Sequence, residues 1–288
     1  MDPGLLRWLP WADAKDRPRV MSGARVLTSA LPRRTWLRRN EPLLLGLGAI
    51  AFFLIAWHVV AVLRLYSPLF LPGPLDVLQA FKDLAEQEDM PLNIAVSAQE
   101  FIIGYVLAAI TAIPLGLLLG WYPRARYALD PFITFFYATP RIVLLPLFII
   151  WFGIGVESKI AVVFLGAFFA VVINTTAGVR NLDESLLRVA RSFGARDRHI
   201  FRTIALPGSV PFILTGLRLG IGHALIGVVV GEQVAAQFGI GKIMFIAGST
   251  FQTAKVFAGL IVIATAGMLL TYVLQRLERH FDAWRPQR

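Results

Sequence analysis

The chain of 288 residues contains no cysteine, and only 16% of its residues are charged. Without cysteine there is no disulfide and no thiolate metal site, although this absence says nothing about the compartment. Soluble domains carry about 25% charged residues and roughly 45–50% apolar ones. This chain is instead 57% hydrophobic, with a mean hydropathy of +0.66. The scarcity of charge indicates a protein that lies in lipid.

Sequence patterns of enzyme sites are also missing. The stretch FGIGKI, residues 238–243, contains a Gly-Lys pair but lacks the earlier glycine and the Ser or Thr of a phosphate-binding G-x-x-x-x-G-K-[ST] loop. The four histidines form no H-x-x-x-H pair, and no serine-centred nucleophile elbow occurs. We therefore predict no catalytic residue, no metal site and no cofactor bound by this chain.

Long apolar runs are present instead, each close to the 20 residues or so that a membrane-spanning helix needs. Only helices or closed barrels satisfy their backbone in hydrocarbon, and a barrel would show alternating segments of about ten residues. We therefore predict an all-α, polytopic membrane protein with about six spans. The predicted spans are 42–63, 101–120, 128–152, 160–178, 211–231 and 256–274.

The basic residues alternate between the connections of these spans. Of the 28 lysines and arginines, 21 fall on the side of the N-terminus and only five on the other. Because cytoplasmic loops carry the excess of Lys and Arg, both termini are expected in the cytoplasm. The net charge of +10 then reflects topology and contact with the bilayer, and no nucleic-acid partner is expected. Residues 1–41 are predicted to form a loosely ordered cytoplasmic arm before an uncleaved first anchor.

A charged segment, RVARSFGARDRHIFRTIALP, separates the fourth and fifth spans. Before it, Asn181 and Glu184 have the spacing of a capping box. Gly194 has the position of the left-handed residue that ends a helix. A second short helix is predicted to follow and to be closed by Pro207. Residues 181–207 are therefore expected to form a helix–glycine–helix hairpin with one apolar and one basic face.

The residues alone leave two interpretations of this hairpin open. Its apolar face could lie on lipid while its arginines contact phosphates. Alternatively, the hairpin could be a docking element for a cytoplasmic subunit.

The segment resembles the EAA signature of ABC importer permeases, which has the pattern E-A-A, three residues, G, nine residues, I-x-L-P. Aligned on Gly194, the last alanine matches Ala190 and the final motif matches residues 204–207, whereas Arg188 and Val189 replace Glu-Ala. The stretches LPGPLDVLQAF and NTTAGVRNLDESLLRVARSFGA are also similar to permeases of the nitrate, sulfonate, taurine and bicarbonate importer class. This resemblance extends over about residues 43–284.

The resemblance implies a type I (MetI-like) permease fold, dimerised around a translocation path in the bacterial inner membrane. Each hairpin would sit in a cleft of an ATPase subunit, which would hold ATP and magnesium, and an extracytoplasmic binding protein would deliver a small anion. Function would then be ATP-driven import by a homodimer. The residues expected to couple this chain to the ATPase are Arg188, Val189, Ala190, Gly194, Ala195, Ile204, Leu206 and Pro207.

A charged residue inside a membrane span is a functional candidate, because a central Arg costs about 2.5–3.5 kcal/mol on insertion scales. Arg141 follows Pro140 in the third span, where a broken helix would expose it to an anionic substrate. The alternative is a structural pair with Glu100 or Glu232. Arg218, near one end of the fifth span, is expected to snorkel or to brace the hairpin.

Small residues at spacing four in the fifth span, Gly216 and Gly220, are candidates for helix packing or gating. Glu232, at the outer end of that span, is expected either to contact the binding protein or to make a structural bond.

Two other classes of function stay open at this point. An ion-driven secondary transporter or a channel would need acidic residues within the membrane, and those present, Glu100, Asp130 and Glu232, lie near the ends of the spans. A membrane-embedded enzyme would need a catalytic cluster. Neither class requires an ATPase partner, which separates both from an importer permease.

Overall fold

The structure is a computed structural model that describes residues 36–281. It divides into a unit that ends at Phe53 and a second unit that begins at Leu54. Most of the predicted N-terminal arm lies outside the described residues. The first helix begins at Trp36, before the span predicted from residue 42.

The described residues form α-helices and contain no strand, which confirms the all-α fold class. Five helices are long and apolar enough to cross a membrane, and a sixth span results if one bent pair counts as a single crossing. The helices are α1 (Trp36–Val62), α2 (Pro74–Gln87), α3 (Met90–Trp121), α4 (Pro123–Ala138), α5 (Arg141–Phe152), α6 (Val156–Arg180), α7 (Glu184–Ser192), α8 (Asp197–Ile200), α9 (Leu206–Ala235), α10 (Ile240–Ser249) and α11 (Thr253–Phe281).

Helix α6 lies at the centre of the second unit, between α3 and α9. Half of its most apolar window is buried, against 11% for α11. Gly104 of α3 and Gly227 of α9 both pack on Val163 of α6, and a Cβ at either glycine would lie within 3.1 Å of Val163 atoms. Small residues allow such close approach, and the packing stabilises helix pairs in lipid, where the hydrophobic effect does not. The three helices therefore pack closely at this point.

The third predicted span is broken. Helices α4 and α5 meet at an angle of 98°, with extended backbone at Thr139 and Pro140. A residue that precedes proline is disfavoured in the helical region, so Thr139 ends α4. Two other prolines, Pro131 and Pro146, lie inside helices. The break brings the start of α5 beside α6 and α9.

The predicted end of the second hairpin helix at Pro207 is wrong. Helix runs continuously from Asp197 to Val234, and Pro207 lies in the first turn of α9. Residues Phe201–Ala205 form a π-helical turn, in which the Leu206 amide donates to the Phe201 carbonyl. Proline supplies no amide proton, and a widened turn directly before it shifts the hydrogen-bond register so that the helix continues.

At the opposite end of α6 and α9, two short helices pack on the start of α11. Val77 and Leu84 of α2 form one buried cluster with Ile243 of α10 and Ala258 of α11. Because α10 has only 10 residues, it is too short to cross a membrane and lies against this end of the unit.

Candidate functional site

The hairpin, residues 181–207, begins with a helix capped by a side chain. The Asp183 carboxylate accepts a hydrogen bond from the Ser185 amide at 2.8 Å, and α7 starts at Glu184. Hydrogen bonds from the Ser185 hydroxyl and amide lower the pKa of Asp183. The capping box predicted at Asn181 and Glu184 is wrong, because Asn181 ends α6 with its backbone amide bonded back into that helix.

Gly194 ends α7 in the left-handed conformation, as predicted. Its φ is +76°. The Gly194 amide donates to the Arg191 carbonyl at 2.9 Å, and the Ala195 amide donates to the Ala190 carbonyl at 3.1 Å. These two hydrogen bonds form a Schellman motif, in which glycine has the least steric strain. The motif fixes the shape of the turn.

The surface of α7 and its turn is open. No residue of α7 is buried, and Leu186, Val189 and Phe193 are 50%, 52% and 87% exposed. A Cβ at Gly194 would have nothing within 4 Å. An exposed apolar patch on a protein of this kind marks contact with lipid or with another chain.

The second half of the hairpin is anchored in the bundle. Ile200 and Ala205 are fully buried, and the Phe201 ring packs edge-on against Trp121 of α3 at 5.3 Å. The eight predicted coupling residues therefore fall into two groups. In the exposed part lie Arg188, Val189, Ala190, Gly194 and Ala195, and in the helix that joins it to the bundle lie Ile204, Leu206 and Pro207.

Arg141 lies at the break between α4 and α5 and lines a cavity of about 360 Å³. Pro140, Tyr137 and Thr139 line the same cavity from the break, and His223 lines it from α9. None of its eleven lining residues is acidic. The break thus brings a guanidinium next to open space within the membrane-spanning unit.

The structural pair considered for Arg141 does not form. Glu100 is fully buried with its Oε1 3.7 Å from Lys159 Nζ, and Glu232 is bound elsewhere. None of the ion pairs among residues 36–281 includes Arg141. Its Nε is buried without a hydrogen-bond partner in the described part of the chain. The arginine predicted near the end of the fifth span, Arg218, instead pairs with Glu278 of α11.

Glu232 makes structural bonds at the end of the unit that holds α2 and α10. Its carboxylate is 1% exposed. It accepts hydrogen bonds from the Ser97 hydroxyl at 2.5 Å and from the Gly241 amide at 2.6 Å. Ser97 in turn accepts from the Ile240 amide at 3.0 Å, and Asn93 accepts from the Gly239 amide at 2.6 Å. Glu232 was expected either to contact the binding protein or to make a structural bond, and in this structure it makes structural bonds.

The FGIGK stretch, which does not match a phosphate loop, binds this carboxylate. Gly239 has a φ of +124°, and a Cβ there would lie 2.3 Å from the Glu232 carboxyl carbon. A Cβ at Gly241 would lie 2.6 Å from the Val229 carbonyl oxygen. The first amides of a helix have no partner within it. At α10 these amides are satisfied by side chains of α3 and α9.

Residues 112–285 match the family described as the inner membrane component of binding-protein-dependent transport systems. This match covers more than half of the chain. The chain belongs to this family.

Two relatives of this permease carry the name of the compounds that they transport. It is 37% identical over 245 residues to the taurine transport system permease protein TauC of Escherichia coli, covering 83% of this chain and 89% of TauC. It is 35% identical over 240 residues to a putative aliphatic sulfonates transport permease protein, SsuC, of Bacillus subtilis, covering 83% and 87%. Both relatives are named as transport components.

A solved structure has the same fold. The permease matches a chain of the MetNI methionine ABC transporter, in an inward-facing conformation, with a TM-score of 0.57 and 18% identity. The match covers 68% of this chain and 96% of that one. This match confirms the type I permease fold. The family and the relatives confirm the role of importer permease and the multi-pass location in the bacterial inner membrane. The permease is a transport component rather than an enzyme, and ATP hydrolysis belongs to a separate subunit.

Sequence reasoning missed Ser97, which donates to Glu232, and Asn93, which accepts from the Gly239 amide beside it. Asn93 and Ser97 lie in the first turns of α3, about 140 residues before Glu232 in the chain, so no local spacing connects them. The one available signal was the pair of glycines in FGIGK, because closely spaced glycines mark a close approach of backbone to another group.

Replacement of Glu232 by alanine is expected to loosen α10. The substitution removes both acceptor oxygens and leaves the Gly241 amide and the Ser97 hydroxyl buried without their partner. A buried donor that is left without its partner costs about 1–3 kcal/mol. We expect a lower thermal unfolding temperature in detergent and faster hydrogen exchange at Gly239–Gly241.

The matched control is Glu88→Gln, because Glu88 pairs with Lys255 nearer the surface. Exposed pairs contribute about 0–1 kcal/mol, so this variant should unfold close to the wild-type temperature. Equal unfolding temperatures for Glu232→Ala and the wild type would contradict the anchoring role.

Proposed function

We propose that this permease moves a small sulfonate-like anion across the inner membrane as one half of a homodimer. A permease of this family works with an ATPase and a substrate-binding protein. The observation that carries the proposal is the turn at Gly194, which is held by two hydrogen bonds and presents exposed apolar side chains. That surface suits a protein partner better than lipid.

The hairpin is proposed as the contact for the ATPase. Its turn is held by two hydrogen bonds, so the exposed residues keep one geometry. Its second half continues as helix into α9, so a push on the turn moves a membrane-spanning helix as a rigid body. Closure of the ATPase pair would then shift α9 against its neighbours, as in rigid-body switching. Val189, Ala190, Gly194 and Ala195 are the proposed contact residues, with Arg188 beside them.

Orientation follows from that role. A hairpin that meets an ATPase faces the cytoplasm, and so do both termini. The excess of Lys and Arg on the hairpin side supports this assignment. On the opposite side, Lys159 and Lys255 are held by Glu100 and Glu88, so they add little free positive charge there. The binding protein would then approach from the side of α2 and α10.

A second copy is proposed to enclose the path. Helices α3, α6 and α9 pack closely through glycines, which disfavours a solute path through the centre of one chain. The cavity at Arg141 lies at the side of α6 and α9, where the α4–α5 break exposes it. A symmetric partner would close this side, and two-fold pairing is the most frequent arrangement of identical subunits.

The substrate class is proposed from the relatives and from charge. TauC is named for taurine and SsuC for aliphatic sulfonates, and both kinds of molecule carry a sulfonate group. Arg141 and Pro140 are the proposed path residues, because they bring positive charge to the only described helix break within a span. Gly216 and Gly220 are assigned to helix packing beside this path.

Gentle purification of the tagged permease from its native membrane tests this proposal. We expect a P-loop ATPase to co-purify in equal amount with the permease, since each copy offers one hairpin. A matched preparation that carries Val189→Asp should lose the ATPase and stay in the membrane fraction. A wild-type permease that purifies without an ATPase, under conditions that keep other importers intact, would contradict the proposal.

A further inference from the structure

The cavity at the α4–α5 break combines one positive charge with apolar walls. Ile142, Val162 and Ile226 face it together with Arg141. We infer that Arg141 binds the sulfonate head group of the substrate inside the membrane, while the apolar walls take its aliphatic body. This inference rests on the proposed function and adds a selective site within the permease itself.

The charge of Arg141 requires a partner that the described chain does not supply. A charged side chain in a membrane is normally paired or faces water. Glu100 forms an ion pair with Lys159, and Glu278 forms one with Arg218. Glu232 accepts a hydrogen bond from the first turn of α10. Since these acids lie elsewhere, the guanidinium faces the cavity with its buried Nε unsatisfied. An anion that enters the cavity would satisfy it.

The chemistry of the site favours a monovalent oxyanion. A guanidinium donates two parallel hydrogen bonds to carboxylate-like or sulfonate oxygens, and such charge-assisted bonds are strong. Tyr137 lines the same cavity and offers its hydroxyl as a neutral donor, whereas the Thr139 hydroxyl already donates to the Phe135 carbonyl at 2.9 Å. A single guanidinium among apolar walls matches one negative charge on a small organic molecule, and it disfavours a neutral molecule that cannot pair with it.

The size and position of the cavity agree with a passing substrate. A volume of about 360 Å³ falls in the range of small-molecule sites, roughly 300–1,000 Å³. The cavity contacts α5, α6 and α9 at once, and α9 is the helix that continues from the hairpin. A shift of α9 would therefore move His223 and Ile226 relative to Arg141 and change the site during transport.

The first test measures binding to the permease without its binding protein. The permease–ATPase complex in lipid nanodiscs is heated with ethanesulfonate or with ethyl methyl sulfone, a neutral analogue of similar shape. We expect ethanesulfonate, and not the sulfone, to raise the unfolding temperature of the wild type. Arg141→Gln should abolish this rise. Arg141→Lys should keep part of it, because lysine retains the positive charge but lacks the paired, planar N–H donors of the guanidinium.

The second test measures uptake in proteoliposomes with the binding protein present. Arg141→Gln should lower the efficiency of ethanesulfonate uptake roughly 10- to 100-fold, the size expected for loss of one charged hydrogen-bonded contact. Ile150→Val, on the same helix as Arg141 but outside the cavity lining, should stay within about twofold of the wild type. ATPase activity stimulated by the binding protein should persist in Arg141→Gln, because the hairpin is unchanged.

These readouts separate the site from the importer function. An Arg141→Gln complex that keeps the ethanesulfonate-dependent rise and wild-type uptake would overturn the sulfonate site and leave the importer intact. A lower baseline unfolding temperature with an unchanged rise would show a structural arginine and would also overturn the site. Absence of a stimulated ATPase in the wild type would instead overturn the proposed function.

Discussion

Replacement of Gly194 by valine is expected to reduce transport to background while the permease stays in the membrane at its normal level. Gly194 has a φ of +76°, a conformation that a β-branched residue adopts only with strain. The turn would have to rearrange, and the exposed face of α7 would lose its orientation. A Cβ at position 194 would have no atom of the described residues within 4 Å, so the fold of the bundle should survive.

The matched control is Gly194→Asn, because asparagine tolerates the left-handed conformation better than other residues with a Cβ. This variant should keep the turn and retain more transport than Gly194→Val. Uptake and ATPase activity in proteoliposomes measure the coupling, and membrane immunoblots measure the level. Wild-type transport by Gly194→Val would contradict the assignment of the hairpin as the ATPase contact.

Replacement of Gly216 by leucine is expected to remove the folded permease from the membrane. A Cβ at position 216 would lie 2.9 Å from the Asn174 Cβ and 3.1 Å from the Val171 Cα. Overpacking of a core typically costs about 1–3 kcal/mol or more. Here the clash includes backbone of α6, which cannot move without loss of its contacts on α3. We expect aggregation on size exclusion in detergent and a strongly reduced membrane level.

Two glycines of the same helix serve as controls. Gly222 has nothing within 4 Å of its Cβ position, and at Gly220 the nearest atoms lie at 3.4 Å. Gly222→Leu and Gly220→Ala should therefore fold normally, and the alanine should gain up to about 1 kcal/mol of helix propensity. A folded Gly216→Leu variant, or equal losses in all three, would contradict the packing of α9 on α6.

The packing role expected for the two small residues of the fifth span thus differs between them. Their spacing places Gly216 and Gly220 on one helix face, and this much follows from the sequence. The distance to the next helix does not, because it depends on the crossing angle of α6 and α9. Gly216 lies against the α6 backbone, whereas at Gly220 the nearest atoms belong to side chains of α3 and α6 at 3.4 Å or more, so a methyl group fits.

Local signals predicted the first half of the hairpin and failed at the second. Gly194 was identifiable because the left-handed residue that ends a helix is usually glycine, which adopts this conformation without steric strain. The sequence prediction assigned the cap to Asn181 instead of Asp183. Asn and Asp both cap helices, and these two residues lie only two positions apart. Pro207 predicted the end of the second hairpin helix, but the π-helical turn before it allows the helix to continue. That turn has no sequence signature of its own.

Charged residues in the membrane were found from the sequence, and their partners were not. Arg141 stood out because it interrupts an apolar run next to a proline. Its pairing depends on which helices are neighbours, and the sequence left Glu100 and Glu232 as equal candidates. The structure pairs Glu100 with Lys159 and uses Glu232 to cap α10. Long-range contacts of this kind follow from the fold rather than from spacing.

ATP-dependent uptake in a reconstituted system tests the central claim most directly. Proteoliposomes would contain the permease with its co-purified ATPase, the binding protein outside and ATP with magnesium inside. We predict uptake of radiolabelled taurine or ethanesulfonate that requires ATP and the binding protein and that persists when ion gradients are collapsed. Uptake by the permease alone, driven by an ion gradient without ATP, would contradict the assignment and identify a secondary transporter.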